Sequence, residues 1–109
     1  MKLKSIIENG GATIGQNGLV NRKKGYQISK KDLAIVPVYK LRKKDLESIV
    51  AGLKPREYLG VWIDNGKAYI DISERKMKLE QALNLGKKRN QISILDWSTM
   101  DCISCEEGE

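Results

Sequence analysis

The sequence predicts an α+β fold: a single small domain, a mostly antiparallel sheet, and two helices packed mainly on one face. Three observations predict it. The segment YLGVWIDNGKAYIDIS, residues 58–73, alternates on both sides of an Asn-Gly pair, the pattern of a β-hairpin. Two other stretches, KKDLESIVAGLKP and residues 76–88, repeat apolar residues at helical spacing. The order strands, helix, hairpin, helix, strand then places the helices beside an antiparallel sheet. A chain of 109 residues suits one core, and with no Phe that core must come from Leu, Ile and Val.

Residues 1–25 are rich in Gly and Asn and read as turns, with short strands at 12–14 and 19–21 paired across Gly15–Gly18. GYQIS is a strand that ends before KKD. LAIVPVYKL is a second, β-branched strand, and Pro37, with no N–H to donate, argues for an edge position or a break. In the first helix Leu46, Ile49, Val50 and Leu53 fall on one face, and Pro55 stops it. In the hairpin a two-residue type I′ turn puts Leu59, Val61, Ile63, Ala68, Ile70 and Ile72 on the core face. Trp62, Asp64, Lys67, Tyr69 and Asp71 share the other face. The second helix turns Leu79, Ala82 and Leu83 inward, carries Lys87, Lys88 and Arg89 at its C-terminal end, and closes on a left-handed Asn90. QISILDW is the last strand. The expected domain is residues 1–98, followed by a flexible acidic tail at 99–109.

Charge narrows the partners. The total is +6, and setting aside Asp101, Glu106, Glu107 and Glu109 of the tail raises it to +10. A body that basic favours anionic partners such as nucleic acid, a nucleotide or an acidic protein surface. The chain has no His, which removes the commonest general base and metal ligand, so no catalytic residue, metal or cofactor is expected. No apolar run is long enough to span a membrane, and a cytoplasmic setting is the default.

GYQIS, then YLGVWIDNGKAYIDIS, then ALNLGKKRNQISILD resembles a family of small uncharacterised proteins from phages and integrative elements of Gram-positive bacteria. That family has a Gly-Tyr-x-x-Ser strand, a Gly-x-Trp hairpin ending in Asp-x-Ser, a helix, and an Asn-Gln-x-x-Ile-x-Asp strand. The resemblance covers residues 10–96; the basic VYKLRKK and the Cys-containing tail fall outside the pattern. It transfers no activity. It implies a mobile-element setting, in which small non-enzymatic proteins bind and disable host defence machinery, as anti-CRISPR inhibitors do. The implied partner is a host defence protein or its nucleic acid, in the cytoplasm of the host cell.

Candidate binding residues are the basic group Lys40, Arg42, Lys43 and Lys44, the group Lys87, Lys88 and Arg89, and the aromatic pair Trp62 and Tyr69. Further basic pairs and triplets stand at 22–24 and 30–31, with Tyr26 and Tyr39 nearby. Groups sharing a face would make a groove for phosphates, the reading of a nucleic-acid- or nucleotide-binding module. The aromatic pair is either a stacking platform or a cross-strand brace for the hairpin, and bracing is the expected role. Asp64, Asp71 and Asp96 are expected to be structural. Cys102 and Cys105 supply two ligands where zinc needs four, so only a homodimer sharing two pairs would complete such a site.

Overall fold

A computed structural model describes residues 2–105. In chain order the elements are α1 (Leu3–Glu8), β1 (Gly11–Gly15), β2 (Gly18–Leu19), β3 (Tyr26–Pro37), a 3-10 turn (Val38–Lys40), α2 (Lys43–Ala51), β4 (Tyr58–Asp64), β5 (Lys67–Lys76), α3 (Leu79–Lys88), β6 (Ser93–Asp96) and β7 (Asp101–Ser104). The class is α+β, as expected. The sheet runs β2-β1-β4-β5-β3-β6-β7, with antiparallel ladders from β2 to β4 and from β3 to β7. The chain divides into two compact units. The first holds the segments up to Asn21 and Lys31–Ile72; the second holds Arg22–Lys30 and everything from Ser73 on.

The first unit is built on the hairpin. Asn65 and Gly66 have φ of 51° and 76°, the two left-handed residues of a type I′ turn. That two-residue loop opposes Asp64 to Lys67 and Trp62 to Tyr69. Leu59, Val61, Ala68 and Ile70 are buried, and Ile63 and Ile72 pack against them, so the face read from alternation is the core face. Two pairs further from the turn than Trp62 and Tyr69, Gly60 opposes Asp71, and a Cβ on Gly60 would run into the Asp71 carboxylate. Leu46 closes the core from α2 and Leu53 from just beyond its end, with Ile49 and Val50 beside them. Asp45 sits in the first turn of α2, where the helix dipole favours an acid.

α1 has no counterpart in the sequence reading. Six residues without a side-chain cap are too short to be a helix alone; Ile6, buried in the core with Leu3 and Ile7 against it, holds the helix in place. β1 and β2 pair as expected, Ile14 opposite Leu19 and Gly15 opposite Gly18.

The two strands expected at GYQIS and LAIVPVYKL are one, the twelve residues of β3. Lys30, Lys31 and Asp32 resemble a loop because they are exposed, yet they contain neither Gly nor Pro, and the extended backbone passes through them. Pro37 does end the strand, and the 3-10 turn follows.

In the second unit Ile28, Ala82, Ile94 and Cys105 form the core. α3 comes close to β6 because its inward residues are small: Ala82 and Gly86, one helical turn apart, are both buried. A Cβ on Gly86 would strike the Cys105 sulfur and lie 3.3 Å from Ile94. Beside this core runs a buried polar chain that the sequence did not announce. The Trp97 indole N–H donates to Gln27 Oε1 at 3.0 Å, and Gln27 Nε2 donates to Ser73 Oγ at 2.9 Å. Each link has its partner, which is what makes burial of these groups tolerable.

Three expectations for this region are corrected. The helix does not begin at Lys76, because β5 runs on through that residue, and Leu79 is 40% exposed rather than inward. The tail expected to be loose from residue 99 contains β7, paired with β6 from Ser93–Ser104 to Asp96–Asp101. Its Cys105 is a core residue at 1% exposure, so the short β6 gains a partner and the core a wall. Residues 106–109 of that tail lie outside the described residues. Asn90, at φ 57°, closes α3 as expected.

Replacing Gly66 with Val tests the turn. A β-branched residue at this φ is strained by roughly 1–3 kcal/mol, so the denaturant midpoint should fall by a corresponding amount. A midpoint equal to the parent's would mean that the turn does not set the register.

Candidate anion-binding cleft

The last residues of β5 are Ser73-Glu74-Arg75-Lys76. Ser73 is buried in the polar chain, which fixes the strand there. Beyond it the strand delivers three charged side chains to the mouth of an open cleft of about 1030 Å³. Met77 and Lys78 continue its wall. α3 supplies the rest: Glu80, Gln81, Asn84, Leu85 and Lys88 recur at helical spacing and make the helix face turned away from Ala82 and Gly86. Arg89 completes the lining. Five cations, Arg75, Lys76, Lys78, Lys88 and Arg89, stand against two carboxylates, Glu74 and Glu80.

Two guanidinium groups are held in place before any ligand arrives. Arg75 donates from Nε and Nη2 to the same Lys24 carbonyl oxygen, at 3.0 and 2.6 Å. It lies across Gly25, whose φ of 92° and missing side chain make room for it. A Cβ there would sit 2.9 Å from Arg75 Nε and 3.0 Å from Met77 Sδ. Arg89 reaches Glu74 Oε1 at 3.3 Å and the Ser29 carbonyl oxygen at 3.5 Å. Glu74 also draws Lys76 to 3.5 Å and Lys30 to 3.9 Å. One carboxylate, only 18% exposed, thus gathers three cations. It lowers their mutual repulsion and leaves the group with excess positive charge. Lys78 and Lys88 are exposed and make no ion pair among the described residues.

The basic residues singled out in the sequence are divided between the two units. Lys88 and Arg89 line the cleft, while Lys87 is exposed beside it. Lys40, Arg42, Lys43 and Lys44 are also exposed, but they belong to the first unit, around the 3-10 turn and the start of α2. Arg75, Lys76 and Lys78 are not among the residues singled out in the sequence: the helix expected at 76–88 takes in the two lysines, and Arg75 falls between it and the hairpin. The signal is the run of three charges, Glu74-Arg75-Lys76, directly after the alternating strand, a length of strand that outlasts its apolar residues.

The other candidates do not line the cleft. Trp62 is 41% and Tyr69 37% exposed, each more than half covered, an arrangement compatible with bracing. Asp96 Oδ1 accepts from the Ser98 N–H and hydroxyl at 2.9 and 2.7 Å, tightening the turn into β7. No group of three or more acidic or Cys side chains is placed to hold a metal among the described residues. Cys102 is exposed and Cys105 buried, both as free thiols, so the pair does not converge on one site. No described helix is long and apolar enough to cross a membrane. No family model, curated protein or solved structure matches the chain, and the site rests on its own geometry.

Gly25→Ala tests the packing that positions Arg75. The added methyl forces the guanidinium or Met77 aside at a φ that Ala adopts poorly, at an expected cost of about 1–3 kcal/mol. Thermal melting should move down accordingly; an unchanged melting temperature would show that Arg75 is not seated over Gly25.

Proposed function

We propose that the protein is a non-enzymatic binding protein that takes a nucleic-acid backbone into the β5–α3 cleft. The observation that carries this reading is the lining of five cations against two carboxylates, with both guanidinium groups already oriented. Arginine in a fixed fork suits phosphate oxygens, and exposed lysines at the rim add sequence-independent attraction. The cleft is open rather than enclosed. A small ligand is usually enclosed over most of its surface, whereas a polymer must enter and leave, so the shape favours a strand over a free nucleotide. The lining holds no aromatic side chain, so recognition here works through phosphates rather than stacked bases.

The resemblance to phage and integrative-element proteins supports a setting for this binding: an inhibitor, of the anti-CRISPR type, that blocks a nucleic-acid site of a host defence complex in the host cytoplasm. The absence of His supports a binding role over catalysis. The basic surface at Lys40–Lys44 would take a secondary part. Arg89 is a poor target for charge reversal, since a carboxylate placed there would face Glu74 in a half-buried position.

The test is fluorescence anisotropy with labelled single-stranded RNA and DNA. If Arg75, Lys78 and Lys88 each meet a phosphate, affinity for a single strand should drop about 20-fold between 50 and 200 mM salt. Lys78→Glu with Lys88→Glu should weaken binding more than tenfold and flatten the salt dependence, with melting little changed because both positions are exposed. Lys43→Glu with Lys44→Glu should have the smaller effect. Equal affinity of the Lys78/Lys88 variant and the parent at low salt would end the proposal for this cleft.

A further inference from the structure

The second half of β3 is an open sheet edge. β6 has only four residues, and its ladder with β3 opposes Tyr26 to Asp96 and Gln27 to Leu95. Continued to its end, that ladder stops with Ser29 opposite Ser93. Among the described residues no strand pairs with Lys31–Pro37 on the side away from β5, and 31–35 are all exposed. The backbone direction follows from two hydrogen bonds. The Val38 N–H donates to the Gly66 carbonyl, on the β5 side, and the Gly25 carbonyl accepts from the Trp97 N–H, on the other. Residues alternate along a strand, so Lys31, Leu33 and Ile35 turn their N–H and C=O groups to the open edge. Pro37, which has no N–H, falls in the same outward series, the position a strand tolerates proline. The side chains there are apolar: Leu33 is 36% and Ile35 62% exposed.

An edge this long and apolar is a template for another strand. We propose that its occupant is a second copy of this chain, the two β3 edges pairing antiparallel about a twofold axis at Ala34. In that register the apolar residues of the edge meet each other, and Asp32 stands opposite Val36. Leu33 meets Ile35 of the second copy, both on the face away from the core, and each such pair exchanges two backbone hydrogen bonds. Lys31 meets Pro37, whose carbonyl can still accept the lysine N–H. The two Lys31 residues end about six residues apart along the strand, roughly 20 Å at 3.4 Å per residue. That exceeds the screening length of about 8 Å at physiological salt, so these two lysines are largely screened from each other. A strand edge closed on itself also forms a finite dimer, the commonest symmetric assembly.

Sedimentation velocity from micromolar to millimolar concentration should show the mass rise from 12.3 kDa to twice that value. Ile35→Lys, at an exposed position, should return the protein to monomer with its melting temperature kept. Ala34→Cys in a Cys102→Ser background should give a disulfide-linked dimer under mild oxidant, because the two copies of residue 34 face each other at the axis. Glu47→Cys in the same background, exposed on α2, should give little. A protein that stays at 12.3 kDa at every concentration overturns the proposal. So does a dimer that Ile35→Lys leaves intact, or one that Ala34→Cys fails to lock. A monomer that instead takes up an extended peptide along β3 would assign the edge to a foreign strand.

Discussion

The register of β5 is the constraint on which the rest of the structure depends. Its side chains alternate with period two, so a slip of one residue would carry Ala68 and Ile70 out of the core and Tyr69 into it. The Asn65-Gly66 turn fixes the starting point, because both residues take left-handed φ and the loop has no slack. From there the alternation is carried through ten residues. It sets the first core at Ala68 and Ile70, places Asp71 over the bare backbone of Gly60, buries Ser73 in a polar chain, and brings Glu74, Arg75 and Lys76 to the cleft. A local turn thus decides the chemistry found at the far end of the same strand.

Within the cleft the cations divide by what already holds them. Arg89 and Lys76 share Glu74, and Arg75 is bound to a carbonyl; these side chains lose little freedom when an anion arrives. Lys78 and Lys88 are exposed charges without an ion pair among the described residues. Exposed pairs are worth little to stability, but Glu74 is mostly covered, and removing it would leave three cations crowded together. Its role is to make a positive site affordable to the fold. The aromatic pair Trp62 and Tyr69 shows the opposite balance: its more-than-half-covered rings suit a brace for the hairpin, with no carboxylate or cation required to hold them.

How far the sequence could be read depended on whether the deciding contact was local. The hairpin, α2 and the left-handed Asn90 were legible because turn chemistry and periodicity are written within a few residues. α1 was not, since a six-residue helix exists only through the burial of Ile6. β3 was read as two strands because its exposed Lys-Lys-Asp stretch carries no apolar alternation, and β7 was read as a loose tail because its partner β6 and the pocket for Cys105 lie outside the segment. The same limit applied to function. Four basic clusters were visible, but the choice of Lys88 and Arg89 over Lys87 and Lys40–Lys44 as cleft residues, and the addition of Arg75, Lys76 and Lys78, required the strand and helix that bring them together.

The most direct measurement is an amide and arginine side-chain NMR titration with a short single-stranded oligonucleotide at low salt. Shifts concentrated at Arg75, Lys76, Lys78, Lys88 and Arg89, with the Arg75 and Arg89 Nε–H signals moving most, are the result this account predicts. Shifts centred instead on Trp62 and Tyr69, or on Lys40–Lys44 with the cleft residues unmoved, would contradict it.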